Sequence, residues 1–173
     1  MRVLGEFPDI VYPKKPILYT RHTTRGLVRN QAGEIAIIHI IGEDQFGKRD
    51  HYEFPGGGIN EGESAEDGLI REIQEELGLT IEDICPLGLM KYSYHLLQRE
   101  EEAIYFTALV KGQSSLRRTE EESRLFAEIE WRKPRELYEL LSYRSVENVG
   151  KLIHARECCA LLAAYPNEII EKV

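Results

Sequence analysis

The sequence predicts an α/β fold, in which helices pack on a β-sheet. Residues 34–41 and 103–110 are runs of mainly apolar and β-branched residues, which is typical of buried strands. One helix is expected between them, and further segments with helical spacing follow toward the C-terminus. This order of strands, one helix, more strands and final helices indicates a sheet covered by helices.

The other elements follow from local patterns along the chain. The first 16 residues contain three prolines, so we expect an irregular arm with at most one short strand. Strands are predicted at residues 17–28, 34–41, 51–54, within 79–94, at 103–110 and at 126–131, and helices at 134–141 and 146–165. Polar segments at 42–50, 98–102 and 111–124 are predicted loops. No change in composition marks a boundary, so residues 1–173 are expected to form a single domain.

The first helix has clear start and stop signals. Ser64 is a good N-cap, and Glu66 and Asp67 suit the positive end of the helix dipole. Gly78 is placed to end the helix in a left-handed conformation. At about 100° per residue, one side of this helix is apolar and predicted to be buried; it carries Leu69, Ile70, Ile73 and Leu77.

Another side of this helix carries a cluster of carboxylates, from Glu72, Glu75 and Glu76. Like charges three and four residues apart repel, at a cost of a few tenths of a kcal/mol per pair on an exposed helix. Such a pattern alone is most often a solvated face. A hard divalent cation such as Mg²⁺ would offset the repulsion, since it prefers oxygen ligands and leaves positions open for water and phosphate.

A glycine-rich turn precedes the helix. Gly56, Gly57 and Gly58 follow a predicted strand end, and they allow the backbone to approach a ligand or adopt positive φ. Arg71 lies eight residues after Glu63 and could pair with it, which would tie the turn to the helix. We therefore predict a positioning role for both residues.

The segment 57–79 resembles the Nudix box, the signature of the Nudix hydrolase family. A glycine, a glutamate six residues later and then an R-E-U-x-E-E-x-G-U segment, with U a bulky aliphatic residue, all occur with the correct gaps. The matching residues are Gly57, Glu63, Arg71, Glu72, Ile73, Glu75, Glu76, Gly78 and Leu79. Because both the residues and the gaps are fixed over a long motif, this resemblance is highly specific.

The resemblance implies a fold, a reaction and a cofactor. Members have an α/β/α sandwich around a mixed β-sheet and hydrolyse a nucleoside diphosphate linked to another group, using Mg²⁺ or Mn²⁺. It implies metal binding by Gly57, Glu72, Glu75 and Glu76, and a catalytic set made of Glu63, Arg71, Glu72, Glu75 and Glu76. One of the glutamates could act as the general base. The substrate remains open between a modified nucleoside triphosphate, a nucleotide sugar such as ADP-ribose, and a dinucleoside polyphosphate.

Other functions and ligands stay open at this point. A nucleotide-binding sensor without turnover would use the same fold, although every box position is present. An isopentenyl-diphosphate-isomerase-like reaction would need cysteine and glutamate chemistry that has no evident counterpart here. Many family members add a carboxylate from outside the box, for which the candidates are Glu120, Glu121, Glu122 and Glu128. Arg21 and Arg25 could contact phosphate or a base, or simply lie on a solvated strand face.

Composition limits the partners. The net charge of −8 argues against nonspecific binding to a nucleic-acid polymer or an anionic membrane. It does not argue against a small nucleotide substrate, because metal ions can supply the local positive charge. The three cysteines lack ligand spacing and are expected to be reduced, which suits a cytoplasmic protein. Neither a signal peptide nor a membrane span is recognisable. The family resemblance leaves room for a homodimer.

Overall fold

The computed structural model describes residues 1–118 and 120–170, without the side chains of residues 121, 122, 124, 126 and 127. The described strands are β1 (Val3–Phe7), β2 (Tyr19–Arg29), β3 (Ile35–Asp44), β4 (Gly47–Glu53), β5 (Leu79–Tyr94), β6 (Arg99–Gln113) and β7 (Phe126–Arg132). The described helices are α1 (Ala65–Leu77), α2 (Glu120–Leu125), α3 (Pro134–Tyr143), α4 (Gly150–Ala164) and α5 (Pro166–Ile169), with a short 3₁₀ turn at His95–Leu97.

The sheet is mixed, as the family resemblance implied. Its order is β1-β5-β6-β2-β3-β4, and β7 pairs with β3 outside this path. The pairs β1–β5 and β2–β6 are parallel, whereas β5–β6, β3–β4 and β3–β7 are antiparallel. Strands β2 and β3 share one pairing, between Arg29 and Ile35, so the sheet divides at that point into two parts that diverge.

Helices cover the sheet on both sides. One apolar cluster joins α1 to the sheet through Leu69, Ile73, Val28, Ile38 and Ile40. A second, larger cluster joins α3 and α4 to other sheet residues, among them Leu137, Leu161, Ile37 and Tyr105. The α/β/α arrangement is therefore confirmed.

The strands are longer than the sequence patterns indicated. Residues 47–50 belong to β4, 99–102 to β6 and 111–113 also to β6, although all three segments were predicted as loops. Polar residues continue these strands because one face of each lies toward solvent. The predicted irregular arm contains β1, which pairs in parallel with β5, and residues 8–18 are without regular structure. In the predicted loop at 111–124, helix α2 begins at Glu120, and Thr119 lies outside the described residues.

The glycine turn is attached to the open edge of β2. The amide of Thr24 donates to the carbonyl of Gly57 at 2.9 Å, and the amide of Gly26 donates to that of Pro55 at 2.9 Å. Farther along, the amide of Ile59 donates to the carbonyl of His22 at 3.1 Å. Because β6 occupies the other edge, this edge of β2 is free to hold the turn by backbone hydrogen bonds.

Across residues 1–118 and 120–170, the helices are all too short or too polar to cross a lipid bilayer.

Candidate active site at the glycine turn and helix α1

Helix α1 begins and ends where its caps predicted. The hydroxyl of Ser64 accepts a hydrogen bond from the amide of Asp67 at 3.0 Å. Gly78 ends the helix with φ 66° and ψ 35°, in the left-handed region that favours glycine. The apolar side is buried through Leu69, Ile73 and Leu77, but the prediction for Ile70 is wrong, since it is 38% exposed. Ile70 lies at the edge of the apolar stripe, beyond the arc that the sheet covers.

Two of the box glutamates are buried. Glu72 is 7% exposed and Glu76 5% exposed, whereas the side chain of Glu75 keeps 35% of its surface. A purely solvated acidic face would not bury two carboxylates one helical turn apart. The cluster therefore lies against the protein, beside the glycine turn.

Arg71 is the centre of the network. Its Nε donates to Oε1 of Glu63 and its Nη2 to Oε2, both at 2.9 Å. Nη1 contacts one oxygen of Glu72 at 2.7 Å and one of Glu75 at 3.2 Å, and Nη2 also donates to the carbonyl of Gly58 at 2.7 Å. The predicted Glu63–Arg71 pair thus exists, and it joins the turn to the helix.

Glu63 is held in its ionised form. Hydrogen bonds from Arg71, and then from the amide of Asn60, lower the pKa of Glu63 to about 2. The hydrogen bonds that Arg71 donates to Glu63 and Glu72 in turn raise the pKa of Arg71, against the effect of burial. The charges of this pair are therefore constant over the physiological pH range.

Gly57 lies so close to the carboxylate of Glu72 that a side chain at this position would force the carboxylate or the turn to shift. A Cβ at this position would lie 2.5 Å from Oε1 and 2.7 Å from Oε2 of Glu72. Gly56 adopts φ 139°, and a Cβ there would lie 2.1 Å from the carbonyl oxygen of Thr24. The two glycines thus serve different needs: one admits a carboxylate, and the other admits strand β2.

Glu76 lies behind the turn and is desolvated. Its Oε2 accepts a hydrogen bond from the amide of Gly56 at 2.8 Å. Burial raises the pKa of Glu76 well above its usual range, although Arg25 and the Gly56 amide act in the opposite direction. Ionised Glu76 is therefore costly without a further positive charge nearby.

Arg25 lies beneath the same turn. Its Nη1 donates to the carbonyl of Phe54 at 2.8 Å and lies 3.8 Å from Oε1 of Glu53. Burial alone would raise the pKa of Glu53, but Arg25, His51 and Arg156 lower it to about 2. Arg25 is thus not on a solvated strand face. It supports the turn from below and offsets part of the acidic charge.

The donor set at this site fits a hard divalent cation. Three carboxylates, two of them buried, lie beside a backbone turn with no side chain at Gly57, and a cation would stabilise the ionised form of the desolvated Glu76. Oxygen-only ligands of this kind suit Mg²⁺ or Mn²⁺. The carbonyl of Gly57 accepts from the amide of Thr24, and its second lone pair could face a cation.

The candidates for an additional metal ligand from outside the box lie on two different elements, β7 and α2. Glu128 lies on β7 opposite His39 of β3. Since Ile38 and Ile40 pack toward α1, the alternation along a strand turns His39 and its partner to the other face. Glu120 begins α2 and is exposed. The side chains of Glu121 and Glu122 lie outside the described residues.

Arg21 lies at the outer end of the turn. A Cβ on Gly58 would meet its Nη2 at 2.8 Å, and its Nη1 lies 3.7 Å from Glu101. The guanidinium is 43% exposed, so its position beside the turn is consistent with a phosphate contact.

Comparison with known proteins decides the family. The family model described as NUDIX domain matches residues 20–154, which is most of the chain. The chain belongs to the NUDIX domain family. The sequence interpretation of the box is therefore confirmed at the level of the family.

Curated relatives match this NUDIX chain over a limited stretch. An RNA pyrophosphohydrolase of Actinobacillus pleuropneumoniae serotype 5b (strain L20) is 39% identical over 66 residues, which are 38% of this chain and 29% of that protein. An 8-oxo-dGTP diphosphatase of Escherichia coli (strain K12) is 33% identical over 69 residues, which are 40% of this chain and 52% of that protein. The matched stretch thus spans between about a quarter and about half of the relatives' own length.

Solved NUDIX structures support the fold over nearly the whole chain. A NUDIX hydrolase from Nitrosomonas europaea aligns with a TM-score of 0.63 at 15% identity, and the alignment covers 90% of this chain and 92% of that one. A MutT NUDIX hydrolase from Burkholderia pseudomallei aligns with a TM-score of 0.58 at 18% identity, over 82% and 95% of the two chains. At such identities the likeness extends to the fold alone.

Proposed function

We propose that this protein is a metal-dependent pyrophosphohydrolase that cleaves the diphosphate linkage of a nucleoside diphosphate derivative. The observation that carries the proposal is the contact between Gly57 and Glu72, beside the buried carboxylate of Glu76. Carboxylates are desolvated there against a side-chain-free turn, which is an arrangement that favours cation binding. Residues 1–173 act as one unit in this proposal, and the cytoplasm is its proposed location.

The residue roles follow from the contacts. Glu72, Glu75, Glu76 and the carbonyl of Gly57 would hold Mg²⁺ or Mn²⁺. When bound, such an ion neutralises diphosphate oxygens and lowers the pKa of a coordinated water. Arg71 fixes the carboxylates of Glu72 and Glu75, and Glu63 fixes Arg71. One of the three carboxylates, from Glu72, Glu75 or Glu76, acts as the general base and takes the proton of the water that attacks phosphorus.

The reaction depends mainly on positioning and charge. A diphosphate repels an attacking water, so alignment of the water and compensation of charge account for most of the rate. The bonds from Arg71 and the Gly56 amide hold the acidic oxygens in place before substrate binds, and the β2 backbone holds the carbonyls of the turn. Little reorganisation is then needed during the reaction.

The substrate is best found with a panel. It should contain a modified nucleoside triphosphate, ADP-ribose and a dinucleoside polyphosphate, each assayed with Mg²⁺ and with Mn²⁺ and with products identified by mass. An RNA with a 5′-triphosphate belongs in the panel because one relative is named an RNA pyrophosphohydrolase. Dimerisation stays a prediction that light scattering can test.

Two variants test the site itself. Glu75→Gln and Glu76→Gln remove one ligand charge each, and we expect near-complete loss of turnover. The matched control is Glu82→Gln, an exposed carboxylate on β5. Full activity in the two box variants would disprove the assignment. Tight, metal-dependent nucleotide binding by the wild-type protein without any product would instead identify a sensor that uses the same fold.

A further inference from the structure

A second group of side chains that could bind a metal lies on the face of β3 and β7 that is opposite to α1. A ring nitrogen of His39 and one carboxylate oxygen from each of Glu128 and Glu130 lie within 4.8 Å of one another. We propose that His39, Glu128 and Glu130 form a binding site for Zn²⁺ or a similar transition-metal ion. This site is separate from the catalytic carboxylates and goes beyond the proposed hydrolase activity.

The ligand types distinguish this site from the box. The box offers oxygen ligands, which suit Mg²⁺, whereas an imidazole together with carboxylates suits Zn²⁺. The strand pairing brings the three residues together, because His39 is opposite Glu128 and Ile37 is opposite Glu130 in the β3–β7 ladder. The neighbours Ile38 and Ile40 point to the α1 cluster, so the two metal sites lie on opposite faces.

His39 is oriented as a metal ligand usually is. Its Nε2 lies 2.7 Å from Oδ1 of Asp50, and its ring stacks on Tyr52 with centroids 4.2 Å apart and planes at 13°. An ionised carboxylate only accepts hydrogen bonds, so Nε2 donates to Asp50 and Nδ1 is the ring nitrogen left for a metal. A carboxylate on one ring nitrogen is the common outer partner of a histidine that binds metal through the other.

Glu130 is held in position as well. The hydroxyl of Tyr52 donates to its Oε1 at 2.8 Å, and Nε of Arg132 donates to its Oε2 at 2.7 Å. These two bonds fix the orientation of the Glu130 carboxylate. Tyr52 therefore contacts two of the three ligands, one through its ring and one through its hydroxyl.

Glu128, the third proposed ligand, can move to complete the coordination. The side chains of His39 and Glu130 are 12% and 16% exposed, while Glu128 is exposed and can change rotamer. Ligand atoms around tetrahedral zinc lie roughly 3.3 Å apart, given zinc–ligand distances of about 2 Å. A modest movement of Glu128 therefore completes three ligands, and water supplies the fourth.

The charged side chains around His39 favour a cation, because the nearby guanidiniums neutralise only part of the carboxylate charge. Three carboxylates surround the ring, from Asp50, Glu128 and Glu130. Two guanidiniums oppose them, since Arg132 pairs with Glu130, and Nη2 of Arg144 lies 2.6 Å from Asp50. These three carboxylates and two guanidiniums together carry one net negative charge. A bound ion would also clamp β7 to β3 beside the irregularity in their register at His39 and Ile40.

Direct measurement of Zn²⁺ binding tests the proposal. Calorimetric titration of the whole protein with Zn²⁺, in excess Mg²⁺ to occupy the box, should show one saturable ion per chain. We expect His39→Ala and Glu128→Gln to weaken this binding at least about tenfold. Trp131 is the single tryptophan of the sequence and follows Glu130 on β7, but it packs on the α1 face, so quenching of its fluorescence by Co²⁺ is a second readout only while Mg²⁺ occupies the box.

Three controls separate this site from others. His22→Ala removes an exposed strand histidine whose Nδ1 lies 3.7 Å from Glu102, and it should leave binding unchanged. Glu75→Gln at the box and Cys85→Ser at an exposed thiol should also leave it unchanged. The proposal fails if the wild type does not bind Zn²⁺, if His39→Ala binds as the wild type does, or if a control variant abolishes binding. Should His39→Ala not fold, the exposed Glu128→Gln decides in the same way.

Discussion

Arg71 and Glu63 form a bidentate pair, with Nε and Nη2 of the guanidinium each 2.9 Å from one carboxylate oxygen. The same guanidinium contacts Glu72, Glu75 and the carbonyl of Gly58. One residue therefore sets the relative position of the turn and of two proposed metal ligands. Lysine has one donor group in place of a planar fork, and cannot reproduce this geometry.

We expect Arg71→Lys to lower kcat by about 10- to 100-fold, because the carboxylates lose their orientation while their charges remain. Steady-state kinetics on the substrate found by the panel, at saturating Mg²⁺, measure the effect. Arg135→Lys, in an exposed pair with Glu139, is the matched control and should retain activity. A kcat within twofold of the wild type would show that the network is not needed.

Gly57→Ala should reduce metal affinity and turnover at least about tenfold. The new methyl group would lie 2.5 Å from Oε1 of Glu72, so the carboxylate or the turn must move. Metal titration by calorimetry and the kinetic assay both report the change. Gly112→Ala on β6 serves as the control, since its Cβ would meet Thr80 at 3.3 Å. Unaltered Mg²⁺ binding in Gly57→Ala would argue against the role of this turn.

Stability should fall on mild acidification because His154 is buried in its neutral form. Its Nε2 accepts from the amide of Tyr52 at 3.0 Å, and its Nδ1 lies 3.1 Å from the carbonyl of Leu141. Burial lowers the pKa of His154 from 6.5 to about 4. The unfolded chain therefore takes up a proton first, and the native state loses on the order of 3 kcal/mol between about pH 6.5 and 4.

Denaturant unfolding across this pH range measures the loss. His154→Gln should be less stable at pH 7 but should show a shallower decline below pH 6.5, because the titrating group is absent. His22→Gln, at an exposed histidine, should keep the wild-type slope. An unchanged slope in His154→Gln would assign the acid sensitivity to other groups.

A buried ion pair makes Arg156 a strongly destabilising site for mutation. Arg156 and Glu157 are 1% and 0% exposed, with Nε 3.1 Å from Oε1, and the guanidinium also donates to the hydroxyl of Tyr94 at 2.6 Å. Arg156→Met leaves a buried carboxylate without its partner, at a cost of roughly 3–5 kcal/mol in the free energy of unfolding.

The double variant tests whether the cost comes from the uncompensated charge. Adding Glu157→Gln to Arg156→Met removes the stranded charge, so the pair should be more stable than Arg156→Met alone. Equilibrium unfolding in urea of the wild type, Arg156→Met, Glu157→Gln and the double variant gives the four free energies needed for the cycle. Strictly additive losses would show that the two side chains act independently.

The sequence predicted correctly those features that depend on residues close together in the chain. The eight-residue separation predicted the Glu63–Arg71 pair, and the capping residues predicted both ends of α1. Periodicity placed Ile70 on the apolar side, yet it could not show how wide an arc the sheet covers. Polar residues at 47–50 were assigned to a loop because an exposed strand and a loop have similar compositions.

Long-range pairing was beyond the sequence. The register of β3 against β7 brings His39 to Glu128 and Glu130, and no spacing along the chain announces that contact. Arg25 was assigned equally to a phosphate contact or to solvent, whereas it supports the glycine turn from below. The partner of a charged residue on a distant strand depends on topology, which periodicity does not determine.

The dependence of the glycine turn on β2 limits what its signature segment can do when separated from the rest. The amide that orients the carbonyl of Gly57 belongs to Thr24, and the amide that holds Pro55 belongs to Gly26. A peptide of residues 57–79, or the same stretch grafted onto another protein, would carry the acidic side chains but lack the β2 amides that orient the turn. We would expect such a peptide or graft to bind metal weakly. The site therefore depends on the motif and equally on strand β2, which has no recognisable motif.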